Sequence, residues 1–191
     1  PVLAWIGRLE PNKNWRDFLR IGAETAKYCD TVHLWMFTDP ELAWPGETEQ
    51  MLQLTAELNL THRITHYYSI PHRRMPDYLS RVADSGGALL ITSMTESFAY
   101  AAPEAICCRC PVVTTDCDGV RAVITHEVTG LYYPHGDIAG GARQVLRLLT
   151  QPALRERLVT SGQRRIRKEL SPQRFAGLFV QMLQSLGAGP C

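Results

Sequence analysis

The 191-residue sequence predicts an α/β fold, a three-layer αβα sandwich with a mainly parallel sheet of about six strands. Short apolar runs alternate along the chain with longer segments of helical periodicity, which favours a parallel sheet covered by helices on both faces. The composition is 45% hydrophobic and 20% charged with a net charge of +1, typical of a globular domain large enough to bury a core. No apolar run reaches the roughly 20 residues that span a membrane.

Each predicted strand is a short apolar run followed by a turn or a helix signal. The first run, VLAWIG, ends at Gly7 and lies at the start of the chain, so we expect a domain excised from a longer protein. The six predicted strands cover residues 2–7, 31–38, 63–70, 87–93, 111–115 and 129–133.

Four predicted helices connect the first five strands, and three more follow the sixth. The first, NWRDFLRIGAETAKY, carries Trp15, Phe18, Leu19 and Gly22 at helical spacing. The predicted helices cover residues 14–28, 47–60, 73–82, 101–108, 138–150, 152–168 and 172–186. In folds of this kind ligands bind at the carboxyl ends of the strands, so the residues that follow each strand are the candidates for chemistry.

The loop after the first strand, GRLEPNKN, has the composition of an anion site. Gly7 permits a tight turn, Arg8 and Lys13 are cations, and Asn12 or Asn14 can cap the following helix. A helix N-terminus beside two cations suits an anionic ligand, because its free N–H groups and its dipole favour negative charge. The alternative is an ordinary solvated loop.

Two glutamates bracket the segment after the fourth strand, TESFAYAAPEA. Pro103 is tolerated only in a first helical turn, so the helix should begin near Ala99 to Ala102, with Glu96 before it and Glu104 within it. Eight helical residues rise about 12 Å, whereas a pair of hydrolytic carboxylates lies about 5 to 9.5 Å apart. The spacing therefore favours contact with the two ends of one elongated ligand, although a dipole-stabilising acid and a solvated helix residue remain the alternative.

Other candidate metal sites have simpler interpretations. Asp116 and Asp118 have the spacing of a metal–diphosphate pair, but the Gly that follows them favours a turn. The cysteines lack the paired spacing of a zinc site or of a secreted disulfide framework, so we expect reduced, mostly buried thiols and no metal. The six cysteines are Cys29, Cys107, Cys108, Cys110, Cys117 and Cys191.

The last third of the chain is rich in arginine. A basic surface for nucleic acid or for an anionic membrane is one interpretation, and a solvated helix face is the other. The solvated face is favoured, because no aromatic residues are interleaved with these charges and the total charge is almost neutral; no nucleic-acid partner is expected. The arginines are Arg143, Arg147, Arg155, Arg157, Arg164, Arg165 and Arg167.

Together these segments resemble the retaining glycosyltransferases of family 4 (group 1), which have the GT-B fold. GRLEPNKN is similar to their GR-L-x-x-x-K loop, ESFAYAAPE matches their E-x7-E motif, and PVVTTDCDGVRAVITHEVTGLYYPHGD follows the stretch after it. LSPQRFAGLFVQMLQSL looks like their closing helix, which leans on the N-terminal domain. The resemblance implies that residues 1–191 form one Rossmann-like domain, the C-terminal donor-binding half of a GT-B enzyme, with a last helix at about 172–186 and with the N-terminal acceptor domain outside this chain.

The resemblance also implies the site residues. Arg8 and Lys13 would hold the donor diphosphate, Glu96 would contact the transferred sugar, and Glu104 would hydrogen-bond the ribose. Glu96, Lys13 and Arg8 would be the catalytic residues. The other residues implied at the diphosphate are Gly7, Ser97, Phe98 and Ala99, and the weaker candidates for the nucleobase pocket are Ser69 and Ile70.

The implied activity is retaining transfer of a hexose from a UDP- or GDP-type sugar to an unidentified acceptor, without a metal or another cofactor. We expect a cytoplasmic protein whose partners are the nucleotide sugar and the missing acceptor domain, with peripheral membrane association of the full-length enzyme. The isolated domain is expected to be inactive and to self-associate. A nucleotide-sugar epimerase of GT-B architecture and a non-catalytic nucleotide-sugar-binding module are the alternatives.

Four positions depart from the pattern of the family. Ala99 and Arg109 replace glycines, Ala122 replaces a glutamate, and Tyr68 replaces a glycine near the end of the third strand. Bulk at Ala99 would crowd the approach of a phosphate to the backbone, so the resemblance implies the fold more firmly than the activity.

Overall fold

The structure is a computed structural model that describes residues 1–186; Cys191, one of the six predicted thiols, lies outside this range. A single six-stranded sheet has the order β3-β2-β1-β4-β5-β6, and every pairing is parallel. The prediction of a mainly parallel sheet of about six strands is confirmed. The strands are β1 (Val2–Ile6), β2 (His33–Thr38), β3 (Ile64–Tyr68), β4 (Ala88–Ile91), β5 (Val112–Thr115) and β6 (Leu131–Tyr133).

Eight α-helices accompany the sheet within residues 1–186, and all seven predicted helices are among them. The additional helix, α5, begins at Asp118, where the Asp-x-Asp-Gly segment predicted only a turn. The helices are α1 (Trp15–Ala26), α2 (Glu47–Glu57), α3 (Met75–Asp84), α4 (Ala101–Cys107), α5 (Asp118–Arg121), α6 (Ile138–Thr150), α7 (Pro152–Glu169) and α8 (Pro172–Ser185). No helix in this part of the chain has the length and apolar character needed to cross a membrane.

Two separate hydrophobic cores lie on the two faces of the sheet. Successive residues of a strand point to opposite faces, so Leu3 and Trp5 of β1 enter a core with α1, α2 and α6, whereas Ala4 enters a core with α3, α4 and α5. Both cores are built from fully buried side chains. The three-layer αβα architecture is therefore confirmed.

The strand order brings two distant loops together. β1 pairs with β2 on one side and with β4 on the other, so the direction in which strands are added reverses at β1. A crevice opens beyond the carboxyl ends of the strands at such a switch point. The loop after β1 and the loop after β4, which carry the two motifs, therefore face each other across this crevice.

One predicted surface arginine has a structural role instead. Arg155 of α7 is half-buried and donates hydrogen bonds to the carbonyl oxygens of Ala83, Gly86 and Gly87, where α3 ends and β4 begins. Burial lowers the pKa of Arg155. Other arginines of this region form surface ion pairs, as Arg147 does with Glu127 at 2.6 Å, so they fit the solvated interpretation.

The last described helix, α8, buries none of its residues. Its apolar residues form a stripe along one face, and their exposure runs from 38% at Leu183 to 76% at Leu186 at the helix end. Such a stripe normally packs against another element. The stripe consists of Phe175, Leu178, Phe179, Met182, Leu183 and Leu186.

Candidate functional site

A cleft of about 760 Å³ opens at the carboxyl edge of β1, β2 and β4. This volume lies within the roughly 300–1,000 Å³ of small-molecule sites. Nine of the ten predicted site residues line the cleft: Gly7, Arg8, Lys13, Ser69, Ile70, Glu96, Phe98, Ala99 and Glu104. The tenth, Ser97, lines an adjoining pocket of about 360 Å³ that shares Arg8, Lys13 and Glu96 with the cleft.

Lys13 and Glu96 form an ion pair at one end of the cleft. The Nζ atom of Lys13 lies 2.6 Å from Oε1 of Glu96, and the side chains are 23% and 13% exposed. The hydroxyl of Ser93 donates to the same carboxylate oxygen at 2.7 Å. Ser93 is itself held by Thr115, whose hydroxyl donates to the Ser93 carbonyl at 2.6 Å. The Glu96 carboxylate is therefore fixed in orientation and its charge is compensated while the cleft is empty.

Asn12 joins the two loops that carry this ion pair. Its Nδ2 group donates to the carbonyl of Thr95 at 3.1 Å, and its Oδ1 atom accepts from the backbone N–H and the hydroxyl of Thr95. The backbone N–H of Met94 donates to the Asn12 carbonyl at 2.9 Å. These four bonds align the loop of Lys13 with the loop of Glu96. The helix cap is provided by Asn14, which accepts from the N–H of Asp17.

Arg8 also lines the cleft, and more than half of its side chain is exposed. Its guanidinium lies 3.2 Å from the carboxylate of Glu10, which is buried. Gly7 follows β1 where an added Cβ would lie 2.9 Å from the ring of Trp5, so a larger residue would press on this wall of the cleft.

Glu104 lies at another part of the cleft wall, in the first turn of α4. The helix begins at Ala101, within the predicted range, and Pro103 is in its first turn. Within residues 1–186 the backbone N–H groups of Ser97, Phe98 and Ala99 have no carbonyl or side-chain acceptor. These residues precede the N-cap of the helix, Tyr100, and free backbone donors favour an anion, so a negatively charged group placed between Glu96 and Glu104 would meet them.

His72 contacts Glu104 from the opposite side of the cleft. Its Nε2 atom lies 2.9 Å from Oε1 of Glu104, and both residues line the cleft. Sequence reasoning missed His72, although its position directly after the third predicted strand is where ligand residues are expected. It also missed Ser93, which stands at the end of the fourth predicted strand, and the loop-joining role of Asn12.

The loop of Glu96 rests on α5. A Cβ added to Gly119 would lie 2.1 Å from the carbonyl oxygen of Glu96, so only glycine allows this approach. The neighbouring Asp116 and Asp118 are both paired with Arg121, at 2.8 and 3.0 Å, and this guanidinium lowers the pKa of the Asp116 carboxyl. Their oxygens face an arginine rather than the cleft, which fits a local structural role.

The end of β3 forms a further wall of the cleft. Ser69 has a left-handed backbone with φ of 49°, and its N–H donates to the carbonyl of Thr38 at 2.9 Å. The hydroxyl of Thr38 is buried and has no hydrogen-bond partner within the described residues. Ile70 supplies an apolar surface beside them. This wall combines apolar and polar groups, as the walls of small-molecule pockets do.

The four positions that depart from the family pattern lie in different environments. Ala99 is buried and lines the cleft. Tyr68 is exposed at the end of β3, and Arg109 has a φ of 61° after α4. Ala122 lies at the end of α5, where its carbonyl accepts from Arg165 at 3.2 Å.

The cysteine cluster holds no recognisable ligand group. Across the part of the chain that the structure describes, no three His, Cys, Asp or Glu side chains are grouped as a metal site requires. The expectation of mostly buried thiols is wrong for the five cysteines within residues 1–186, because Cys107 is exposed and Cys29, Cys108 and Cys117 are partly exposed. Only Cys110 of the five is buried, and burial raises the pKa of its thiol to about 12.

The family described as "Glycosyl transferases group 1" matches residues 1–165. The chain belongs to the group 1 glycosyltransferases. A relative is the lipopolysaccharide core biosynthesis glycosyltransferase LpsD of Rhizobium meliloti, which is 28% identical over 181 residues. The match covers 95% of this chain and 48% of LpsD.

Two solved structures show the same fold. Anabaena HepE, solved in complex with UDP and glucose, is 19% identical with a TM-score of 0.82; the match covers 96% of this chain and 48% of HepE. The C-terminal domain of a group 1 glycosyltransferase (LpcC) from Francisella tularensis is 16% identical with a TM-score of 0.78, and the match covers 90% of this chain and 86% of that one. The group 1 chain described here thus has the Rossmann-like fold of GT-B glycosyltransferases and spans about half the length of LpsD and HepE.

Proposed function

We propose that this group 1 domain is the C-terminal, donor-binding half of a retaining family 4 glycosyltransferase, which transfers a hexose from a nucleotide-diphosphate sugar. The observation that carries the proposal is the Lys13–Glu96 ion pair, placed beside free backbone N–H groups in a cleft that also contains Glu104. The lengths of LpsD and HepE support a second half outside this chain, and the Francisella C-terminal domain supports its place in the enzyme.

The cations would act on the leaving group. Loss of the sugar from a nucleotide-diphosphate sugar leaves negative charge on the diphosphate, and fixed positive charges stabilise such a developing anion. Arg8 and Lys13 would supply these charges, and the backbone of Gly7 and the N–H groups of residues 97–99 would complete the diphosphate site. Two positioned cations can supply this stabilisation without a metal ion.

The carboxylates would fix the two ends of the donor. Glu96 would accept hydrogen bonds from hydroxyls of the hexose, and Glu104 would accept them from the ribose. Ser69 and Ile70 would lie against the nucleobase. Attack of the acceptor on the face from which the diphosphate leaves, within an ion pair, would give retention. The bonds from Lys13 and Ser93 to its Oε1 atom would hold the Glu96 carboxylate in the orientation that this role requires.

The direct test is calorimetric titration of the 191-residue chain with UDP, GDP, ADP and their sugars, followed by a transfer assay with simple sugar acceptors. We expect one nucleoside diphosphate to bind and no glycosyl transfer by this chain alone, because the acceptor would bind to the missing domain. Failure of every nucleoside diphosphate to bind would overturn the proposal for the cleft. Transfer by the isolated chain would overturn the half-enzyme interpretation.

We further propose that the full-length enzyme acts in the cytoplasm and associates peripherally with a membrane. The five free thiols among the described residues support a reducing compartment. The name of LpsD, a lipopolysaccharide core glycosyltransferase, supports a substrate near a membrane surface. Co-sedimentation of the full-length protein with anionic vesicles would test the membrane association, and its absence at low salt would overturn it.

A further inference from the structure

A hydrogen bond crosses the cleft at Glu104. His72 belongs to a short 3-10 turn, His72–Arg74, directly after β3, whereas Glu104 belongs to α4 on the other side of the sheet switch point. Nε2 of His72 lies 2.9 Å from Oε1 of Glu104. The side chains are 83% and 37% exposed, so the bond lies at the open mouth of the cleft rather than in a core.

The direction of this bond is fixed by its acceptor. An ionised carboxylate only accepts hydrogen bonds, so the Nε2 atom of His72 carries the proton that is shared with Glu104. A carboxylate has about four acceptor positions on its two oxygens, and His72 uses one of them. About three positions, two of them on the second oxygen of Glu104, remain available to a ligand, and a vicinal diol requires two.

The bond also limits the freedom of Glu104. A long acidic side chain loses rotamer entropy when it is fixed, and the binding free energy of the ligand bears this loss unless the protein has already fixed the side chain. His72 restrains the carboxylate before any ligand arrives. No other side chain within residues 1–186 hydrogen-bonds Glu104, so the restraint depends on His72.

We propose that His72 is a positioning residue for the sugar ring of the nucleotide: it orients the Glu104 carboxylate toward the ribose hydroxyls and so sets the preference for ribonucleotides over 2′-deoxyribonucleotides. The proposal rests on the proposed function, in which Glu104 contacts the ribose. It adds a residue from a different loop and assigns it an effect that can be measured on the chain alone.

The test compares UDP with 2′-deoxy-UDP, or GDP with 2′-deoxy-GDP if GDP is the nucleotide that binds. A hydrogen bond contributes about 0.5–1.5 kcal/mol, which corresponds to about 2–10-fold in Kd. We expect the wild-type chain to prefer the ribonucleotide, and His72→Ala to weaken ribonucleotide binding by about 2–10-fold with a smaller effect on the 2′-deoxy ligand, which keeps only the 3′-hydroxyl. His72→Gln, which keeps a donor at the end of the side chain, should restore the preference.

Arg73→Ala is the matched control, because Arg73 is exposed in the same turn and does not line the cleft. It should leave both affinities unchanged. An equal loss for the two ligands in His72→Ala would mean that His72 only shapes the turn, and an unchanged preference would mean that Glu104 is oriented without it; either result overturns this inference. A wild-type chain that binds nucleotides without any preference would instead overturn the proposed role of Glu104, and this inference with it.

Discussion

Lys13 has a carboxylate partner before any ligand is present. Its ion pair with Glu96 is largely shielded from water and uses one of the three N–H donors of the ammonium, so a diphosphate that binds to Lys13 would meet a cation whose charge is already partly compensated. The shared cation makes the two residues energetically dependent on each other, and substitutions at the two positions should therefore have different effects on different ligands.

Substitution of Lys13 by alanine tests the phosphate contact. Hydrogen bonds to charged groups contribute about 1.5–3 kcal/mol, so Lys13→Ala should weaken UDP binding by about 10–100-fold and leave uridine binding unchanged. Isothermal titration measures both affinities. Lys27→Ala is the control, since Lys27 is exposed at the far end of α1 and pairs with Glu24. Equal losses for UDP and uridine would show that Lys13 does not bind phosphate.

The two cleft glutamates should give distinct binding profiles. Glu96→Gln removes the carboxylate that pairs with Lys13, so the variant should bind UDP at least as tightly as wild type. Its affinity for the UDP-sugar should fall about 2–10-fold. Glu104→Gln should weaken UDP and the UDP-sugar alike, because ribose is common to both. Titration of both variants with both ligands provides the comparison, and indistinguishable profiles would contradict contact with separate ends of the donor.

Sequence located the charged residues that line the cleft, because each belongs to a short motif at a strand end. Lys13 and Glu96 were expected on one ligand, and the structure places their side chains 2.6 Å apart. The sequence did not identify His72, since a lone histidine in a loop has no motif and its partner Glu104 lies on another element. Pairings of that kind depend on which loops the sheet order makes adjacent.

At the scale of elements, a partly buried ion pair between Arg16 and Glu47 connects α1 to the start of α2. Glu47 accepts hydrogen bonds from Nε1 of Trp15 at 2.7 Å and from both terminal nitrogens of Arg16, at 2.8 and 3.0 Å. The Arg16 guanidinium lowers the pKa of the Glu47 carboxyl below its ordinary range, against the effect of burial. Glu47 therefore stabilises the folded chain more in its ionised form than in its protonated form.

Removal of this carboxylate should destabilise the fold in a pH-dependent way. Glu47→Ala leaves Trp15 and Arg16 without their acceptor and should lower the unfolding free energy at pH 7 by about 1.5–3 kcal/mol, the contribution of hydrogen bonds to a charged group, because the pair is only partly exposed. Because the folded pKa is depressed, the contribution is complete above about pH 4.3, the ordinary carboxyl value, and is lost as pH falls through the folded pKa. Urea unfolding from pH 7 to pH 3 measures it.

Glu49→Gln is the control for this experiment, because Glu49 is exposed in the first turn of the same helix. It should change neither the stability nor its pH dependence. A Glu47→Ala variant that loses as much stability at pH 3 as at pH 7 would show that the side chain contributes packing rather than charge.

Hydrophobic periodicity predicted the presence of helices and strands better than it predicted their first and last residues. The helix predicted at 138–150 is α6 with the same bounds, because an amphipathic repeat continues along its whole length. The short helix α5 was missed, since four residues are too few for a repeat and Asp-x-Asp-Gly is also turn chemistry. Strand β4 is shorter than predicted and ends at Ile91. The next two residues hydrogen-bond through their hydroxyl groups, Thr92 to the carbonyl of Lys13 and Ser93 to the carboxylate of Glu96.

For the whole molecule, the sequence predicted parallel strands but not their order. Alternation of strands and helices is compatible with several doubly wound arrangements. The observed order places β1 between β2 and β4, and this placement is what brings Lys13 to Glu96. Without the resemblance to a known family, the residues alone would not have indicated which strand ends share the cleft.

The exposed stripe of α8 should make the isolated chain self-associate. Six apolar side chains on one face favour contact with another apolar surface, and no element within residues 1–186 covers them. Sedimentation velocity should show a concentration-dependent shift to dimers or larger species. Phe179→Glu should reduce the shift, whereas Gln181→Glu, an exposed polar position of the same helix, should not. A wild-type chain that stays monomeric at high concentration would contradict the prediction.

The central position of β1 also has a consequence for the order in which the chain acquires its structure. Leu3 lies opposite Leu34 on one side and opposite Ala88 on the other. One edge of β1 therefore pairs with a strand that is near in sequence, and the other edge pairs with a strand that is distant in sequence. Contacts between distant residues form slowly, because the loop between them must first be closed. Docking of β4 onto β1 should therefore limit the refolding rate. The first three strands should form earlier and leave one edge of β1 unpaired until β4 docks.

Stopped-flow refolding of Ala88→Gly should be slower than that of the wild type, whereas Ile64→Val at the outer strand β3 should mainly accelerate unfolding. The reverse pattern would place the slow step at the outer strand instead.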